Sequence, residues 1–266
     1  KIVDMNESVR KDTGIEDAYL KIYPVSGYGS SSIVKQVIEL ENGVDAILHY
    51  TDPRFWGWLY QMEHELRQTT PIFYYNIWDD LPYPRWNEPF YESCDLIMNI
   101  SKQTVNIVDN VCQIKPRTDW DNTYVPHGIN EKNFYPVTPL NTKEWGDLLQ
   151  FKRNVTQNKD YEFIVFWNNR NIRRKLPGDV VNGTDLPEVV RELCPNYDVI
   201  FSHKKLDDKQ LCYLYNIADV QINMASNEGF GLTTCEALMC GTPISVTVTG
   251  GLQDQCGFKY KGKFIT

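Results

Sequence analysis

The chain has 266 residues, 42% of them hydrophobic and 23% charged, with a net charge of −8. This length holds two domains that each bury a core, and the acidic balance argues against a nucleic-acid backbone as partner, which calls for a basic face. Seven cysteines without paired spacing argue against a disulfide framework or a zinc site and read as the reduced thiols of a cytoplasmic protein. No apolar run is long enough for a transmembrane segment, and residues 1–12 lack the apolar core of a signal peptide.

Strands and helices alternate along the chain, the pattern of parallel α/β sheets. Residues 21–25 read as a strand and 30–40 as a serine-capped helix with Ile33, Val34, Val37 and Ile38 on one face. A strand over 46–50 carries His49. Asp52-Pro53 then opens a helix over 54–68, because aspartate caps and proline fits the first helical position. Strands follow over 72–77 and 96–100, the second leading through Ser101 into a helix over 103–111, and residues 123–126 close this half. Strands are expected over 163–167, 198–201, 219–224 and 244–248, with helices between them. The division expected is a first domain over 1–128, a linker over 129–137 and a second domain over 138–266.

Open α/β sheets bind ligands beyond the carboxyl ends of their strands. The residues there are His49, Asp52, Asp79, Asp80, Ser101, His127, 168–170, His203, Glu228 and 249–251. Aromatic residues near these ends, Tyr50, Phe55, Trp56, Trp78, Tyr83 and Trp86, either stack on a sugar face or pack the core. Four N-x-S/T sequons occur, at Asn6, Asn99, Asn154 and Asn182, with Asn99 inside an expected buried strand.

The most informative stretch is 226–254, SNEGFGLTTCEALMCGTPISVTVTGGLQD. Glu228-Gly229-Phe230-Gly231 is a turn after a strand. From Leu232 the apolar residues recur at helical spacing through Cys235, Leu238 and Met239, until Gly241-Thr242-Pro243 stops them. The unit is strand, glycine turn, helix, strand. Its helix N-terminus offers unpartnered N–H groups and a positive dipole end, which suit an anion. Gly229 and Gly231 let a phosphate or sugar approach the backbone. Glu236, one turn into the helix, can accept from the vicinal hydroxyls of a ribose, while Glu228 lies closer to whatever the phosphate carries. A second element, residues 168–175, places Arg170, Arg173, Arg174 and Lys175 just after a strand. Fixed cations there stabilise the charge that develops on a departing diphosphate. A solvated basic helix face is the competing reading, preferred for Arg173.

EGFGL, EA, CGTP and the later GG, in this order, resemble the signature of retaining glycosyltransferases of family 4, the glycosyl transferases group 1. Enzymes of that family have the GT-B fold. The resemblance implies an α/β chain with two facing Rossmann-like domains and parallel sheets. It implies a nucleotide-diphosphate sugar as donor, with front-face attack and the departing phosphate taking the acceptor's proton.

Arg170 and Lys175 reproduce the spacing of the family's arginine and lysine and would stabilise the leaving group. Glu228 would hold the donor sugar or balance developing positive charge, and Glu236 would bind the ribose. Gly229, Phe230, Gly231 and Leu232 would present the helix terminus. His203 would lie at the nucleobase or be an ordinary surface histidine, and Gly250 with Gly251 would lie near the donor sugar or serve only as a turn. VPHGIN matches a family segment just before the linker. His49 matches a histidine that contacts the transferred sugar, and a satisfied core histidine is the equal alternative.

No metal and no cofactor is expected: Asp119-Trp120-Asp121 could ligate a divalent ion in another glycosyltransferase fold, but here it reads as a loop. The acceptor stays open among glycan, lipid, protein and modified nucleic acid. Two rivals remain, a nucleotide-sugar epimerase of the same architecture and a non-catalytic carbohydrate- or partner-binding protein that kept the fold. The family's opening strand, the helix and return strand between Lys175 and Leu186, and the helices after Asp254 have no counterpart. The chain is therefore expected to be a subset of a longer protein, an expectation that an intact mass of 31.0 kDa would refute.

Overall fold

The computed structural model describes residues 3–113, 115–168, 188, 191–192, 194–202, 205–260 and 263–265. Strands β1 (Val3–Asp4) and β2 (Lys21–Ile22) form a small antiparallel ribbon. The strand expected over 21–25 is thus shortened and stands outside the parallel sheets. Pro24 has no N–H to continue the ladder.

The first sheet pairs β3 (Ile47–Tyr50), β4 (Ile72–Asn76), β5 (Leu96–Asn99) and β6 (Asn122–Tyr124) in that order, all parallel. Parallel neighbours need crossovers, and these include the helices Glu88–Glu92 and Lys102–Val111, while the helix Ser31–Leu40 leads into β3. In place of one helix over 54–68, the path is a 3-10 turn, Pro53–Trp56, and two short helices, Gly57–Gln61 and Glu63–Leu66, broken at Met62. Asp52 caps this segment by accepting the Arg54 N–H at 3.0 Å, and Ser101 caps its helix by accepting the Thr104 N–H at 3.1 Å.

Strand β4 alternates, burying Ile72, Tyr74 and Asn76. Its inward apolar residues pack with Leu59, Tyr91, Ile97, Ile107 and Val108 in the main core. Burial of each aliphatic side chain of this size contributes about 1.5–3 kcal/mol. A row of amides runs across the same strands. Asn76 Nδ2 donates to Asn99 Oδ1 at 3.1 Å, Asn99 Nδ2 to Asn122 Oδ1 at 2.6 Å, and Asn122 Nδ2 to Asp109 Oδ1 at 2.7 Å. Buried amides satisfied in this way hold the strand ends in register. They also enclose Asn99 completely, so its sequon is out of reach of modification.

The second sheet is shorter: β7 (Val165–Phe166), β8 (Val220–Asn223) and β9 (Ile244–Val246), again parallel. The helices Thr142–Val155, Asp208–Ile217 and Leu232–Met239 accompany it, the second opened by a capping box between Asp207 and Gln210. The strand expected over 198–201 is not formed among the described residues 194–202. Lys159 and Tyr161 hold the Asp198 carboxylate at 2.9 and 2.7 Å by their side chains, and Val199 and Ile200 are exposed. A second ribbon, β10 (Phe258–Tyr260) with β11 (Lys263–Ile265), is antiparallel. Among the described residues no helix is long and apolar enough to cross a membrane.

Candidate functional site

Strand β8 ends at Asn223, whose Oδ1 accepts the Ala225 N–H at 3.1 Å and turns the chain. The loop 224–231 follows. Gly231, at φ +90°, then opens the helix Leu232–Met239 in the left-handed conformation that glycine tolerates. The strand, glycine turn, helix and strand read from the sequence are all present.

The loop is locked onto residues 249–251. The Gly251 N–H donates to Glu228 O at 2.8 Å and Thr249 Oγ1 to Ser226 O at 3.0 Å. A Cβ on Gly250 would collide with Glu228 O, and one on Gly251 with Gly229 O. A Cβ on Gly229 would lie 2.8 Å from Ile100 Cδ1, just past β5 of the first sheet. The space these three glycines vacate is therefore filled by protein. Close approach of a ligand, the reason the sequence suggests for Gly229, is replaced by close approach of backbone to backbone and of the two halves.

Glu236 is half-buried one turn into the helix. Tyr215 Oη donates to its Oε2 at 2.7 Å and accepts from Asn168 Nδ2 at 3.0 Å. Burial raises the carboxyl pKa, and the Tyr215 hydrogen bond opposes that rise. Asn168, just past β7, and Glu236 are thus joined through Tyr215, a residue the sequence did not single out. Arg170, Lys175 and His203 lie outside the described residues.

The first sheet meets this loop directly. Asn227 Nδ2 donates to Asp80 Oδ1 at 2.7 Å, and the Lys102 N–H donates to Asp254 Oδ2 at 2.9 Å. Gln103 Oε1 accepts from the Gly250 N–H at 3.1 Å and from Gln253 Nε2 at 3.2 Å. The His127 ring stands edge-on to Phe230, with centroids 5.3 Å apart. His127 Nδ1 lies 3.0 Å from Tyr75 Oη, which also lies 3.0 Å from Val125 O. With the single phenol hydrogen given to Val125 O, Nδ1 must carry its own hydrogen, which leaves Nε2 as an acceptor. Burial lowers the His127 pKa, favouring this neutral form.

His49 is placed differently from its role as a sugar contact. It is 1% exposed, stacked on Tyr74 at 4.7 Å and flanked by Trp56, with Nδ1 2.7 Å from Tyr60 Oη. Burial pushes its pKa down to about 4. The ring is that of a core histidine, but only one of its nitrogens is partnered, Nε2 being buried without a partner among the described residues. Strand β3 turns Leu48 and Tyr50 outward and His49 into the aromatic core.

Asp121 accepts from the Thr118 N–H at 2.6 Å and from its hydroxyl at 2.9 Å, and pairs with Arg117 at 3.3 Å. Its carboxylate closes a loop. Among the described residues no group of three or more histidine, cysteine or acidic side chains is arranged to hold a metal ion.

Two parallel α/β sheets that meet at a glycine loop opening a helix define the class, the GT-B fold of glycosyltransferases. HepE of Anabaena, solved in complex with UDP and glucose, superposes with a TM-score of 0.63 at 15% identity, covering 85% of this chain and 66% of that one. Residues 185–265 match the family model of glycosyl transferases group 1. Over 196 residues the chain is 26% identical to an uncharacterized glycosyltransferase of Methanocaldococcus jannaschii, covering 66% of this chain and 47% of that protein. Over 73 residues it is 37% identical to D-inositol 3-phosphate glycosyltransferase of Xylanimonas cellulosilytica, covering 25% of this chain and 18% of that protein. The matched part thus spans under half the length of either relative. The resemblance carried by residues 226–254, and the GT-B fold it implied, both hold.

Proposed function

We propose that this chain transfers a sugar from a nucleotide-diphosphate sugar to an acceptor hydroxyl, with retention at the anomeric carbon. The observation that carries the reading is the glycine loop 226–231, pinned between residues 249–251 and the strand ends of the first sheet, with Glu236 half-buried one turn beyond it. The helix N-terminus at Leu232 would receive the diphosphate. Glu236 would accept from the ribose hydroxyls and Glu228 would face the donor sugar. His127 Nε2 would accept a hydroxyl hydrogen at the cleft, and His203 would lie at the base. Arg170 and Lys175 would stabilise the leaving group, work that needs no metal in this reading.

In the reaction the bond from the anomeric carbon to the phosphate oxygen breaks, and its electron pair stays on the phosphate. The acceptor oxygen bonds to the same carbon from the same face, and the hydroxyl proton passes to the departing phosphate. The match to glycosyl transferases group 1 and the UDP and glucose held by HepE support this reading.

Incubation with UDP-, GDP-, ADP- and dTDP-sugars, followed by NMR of the products, tests it. A product with the donor's anomeric configuration is expected. A changed sugar formed without any acceptor would point to an epimerase instead. Arg170→Ala and Lys175→Ala should each lower kcat by about 100-fold or more, and unchanged kcat in both removes them from the leaving-group role.

A further inference from the structure

Trp86 stands on a short turn, Arg85–Asn87, and is 54% exposed. Its neighbour Trp78 is fixed on three sides. The Trp78 N–H donates to Asn76 Oδ1 at 3.1 Å, its carbonyl accepts from Thr104 Oγ1 at 3.0 Å, and Nε1 donates to Asp80 O at 2.9 Å. The two indoles meet edge-on, with centroids 6.1 Å apart and planes at 73°. An exposed indole braced by a fixed one loses little freedom when a ligand stacks on it.

The same loop carries Asp80, whose Oδ1 accepts from Asn227, the residue before Glu228. Trp86 is therefore tied to the glycine loop through Trp78, Asp80 and Asn227 in turn.

We propose that Trp86, backed by Trp78, is the platform on which the acceptor stacks, and that this acceptor is a neutral carbohydrate. The proposal rests on the transferase reading and names the substrate class for it. The C–H face of a sugar ring matches the indole face, and Asp80, whose carbonyl accepts from Trp78 Nε1, stands on the same loop.

Charge decides against an anionic acceptor. Arg54, 5.4 Å from the Trp78 ring, is held by Asp52 through Nε at 3.0 Å. Arg85 donates through Nη1 to the carbonyls of Asn110 and Val111. Both arginines beside the tryptophans are engaged within the protein, by the Asp52 carboxylate and by main-chain carbonyls, so neither stands ready to take a phosphate or sulfate. The stacked sugar supplies the hydroxyl whose oxygen bonds to the anomeric carbon of the donor, its proton leaving with the phosphate.

The test applies native and Trp86→Ala chains to an array of neutral, sulfated and phosphorylated oligosaccharides. Vesicles of phosphatidylcholine and phosphatidylglycerol are assayed in parallel, and UDP binding is followed by thermal shift. Neutral oligosaccharides should bind the native chain and bind Trp86→Ala at least about 10-fold more weakly, roughly what one lost stacking contact costs. Trp86→Tyr should recover most of that binding, and the UDP shift should be the same in all three chains. Binding confined to anionic oligosaccharides or to vesicles overturns the proposal, as does neutral binding that survives in Trp86→Ala. A native chain that binds neutral sugars but no nucleotide diphosphate overturns the transferase reading and the acceptor role with it, while the stacking site stands.

Discussion

Asn76 and Asn223 end parallel strands in the two sheets, and each accepts, at 3.1 Å, the N–H two residues further on. The loops they launch are then stabilised in opposite ways. After Asn76, large rings do the packing: Trp78 and Tyr83 rest on the core built around Tyr74, Tyr91 and Ile97. After Asn223, backbone packs on backbone, with Gly250 and Gly251 against Glu228 and Gly229. Side-chain packing tolerates exchanges that conserve volume. Two main chains in contact leave no room for an added methyl group, so the loop after Asn223 admits far less change than the loop after Asn76.

The sharpest way to break this contrast is Gly250→Ala. Its φ of +52° strains any other residue, and the new Cβ would meet Glu228 O. A loss of more than about 3 kcal/mol in urea unfolding is expected, against about 1 kcal/mol for Trp86→Ala on its exposed turn. Equal losses would erase the distinction.

His49 is next in size. The folded chain holds its imidazole neutral, with a pKa of about 4 against an ordinary 6.5. As pH falls from 6.5 towards 4, the unfolded chain takes up a proton that the folded chain does not. Stability should then fall by roughly 3 kcal/mol across that window. His49→Gln should flatten this slope, and an unaltered slope in the variant would move its origin elsewhere. The smallest effect belongs to Asn227→Ala, which removes one exposed hydrogen bond to Asp80. A loss within about 1 kcal/mol is expected, with a rise in acceptor KM as the more sensitive readout.

The glycine loop was legible because Gly229, Gly231 and the Gly241-Thr242-Pro243 stop punctuate a helical period at known offsets. Most parallel strands were legible for a similar reason, as β-branched and aromatic runs between turn residues. The burial of His49 was not. Strand β3 lies at the edge of its sheet and shows only four residues, and the rings that enclose His49 come from Trp56, Tyr60 and Tyr74, on other elements. Nor were the links between the halves legible. Gln103 meets Gly250, and Asp80 meets Asn227, across 147 residues each, and such polar side chains look solvated in a linear reading. Tyr215 escaped notice because its ring sits in an ordinary apolar helix face while only its hydroxyl reaches Glu236.

Glu236 gives the most direct measurement of the central claim. Its carboxyl pKa is raised by burial, so the ionised form costs stability once pH rises above that pKa. Glu236→Gln should therefore melt higher than the native chain at pH 8, and lose that advantage as pH falls and the buried carboxyl takes up its proton. Calorimetric titration with UDP and with UDP-glucose, each on native and Glu236→Gln chains at pH 8, then separates fold from function. The native chain should bind at least one of these ligands and the more stable variant should bind neither. A variant that binds as tightly as the native chain would contradict the assignment of this carboxylate to the donor.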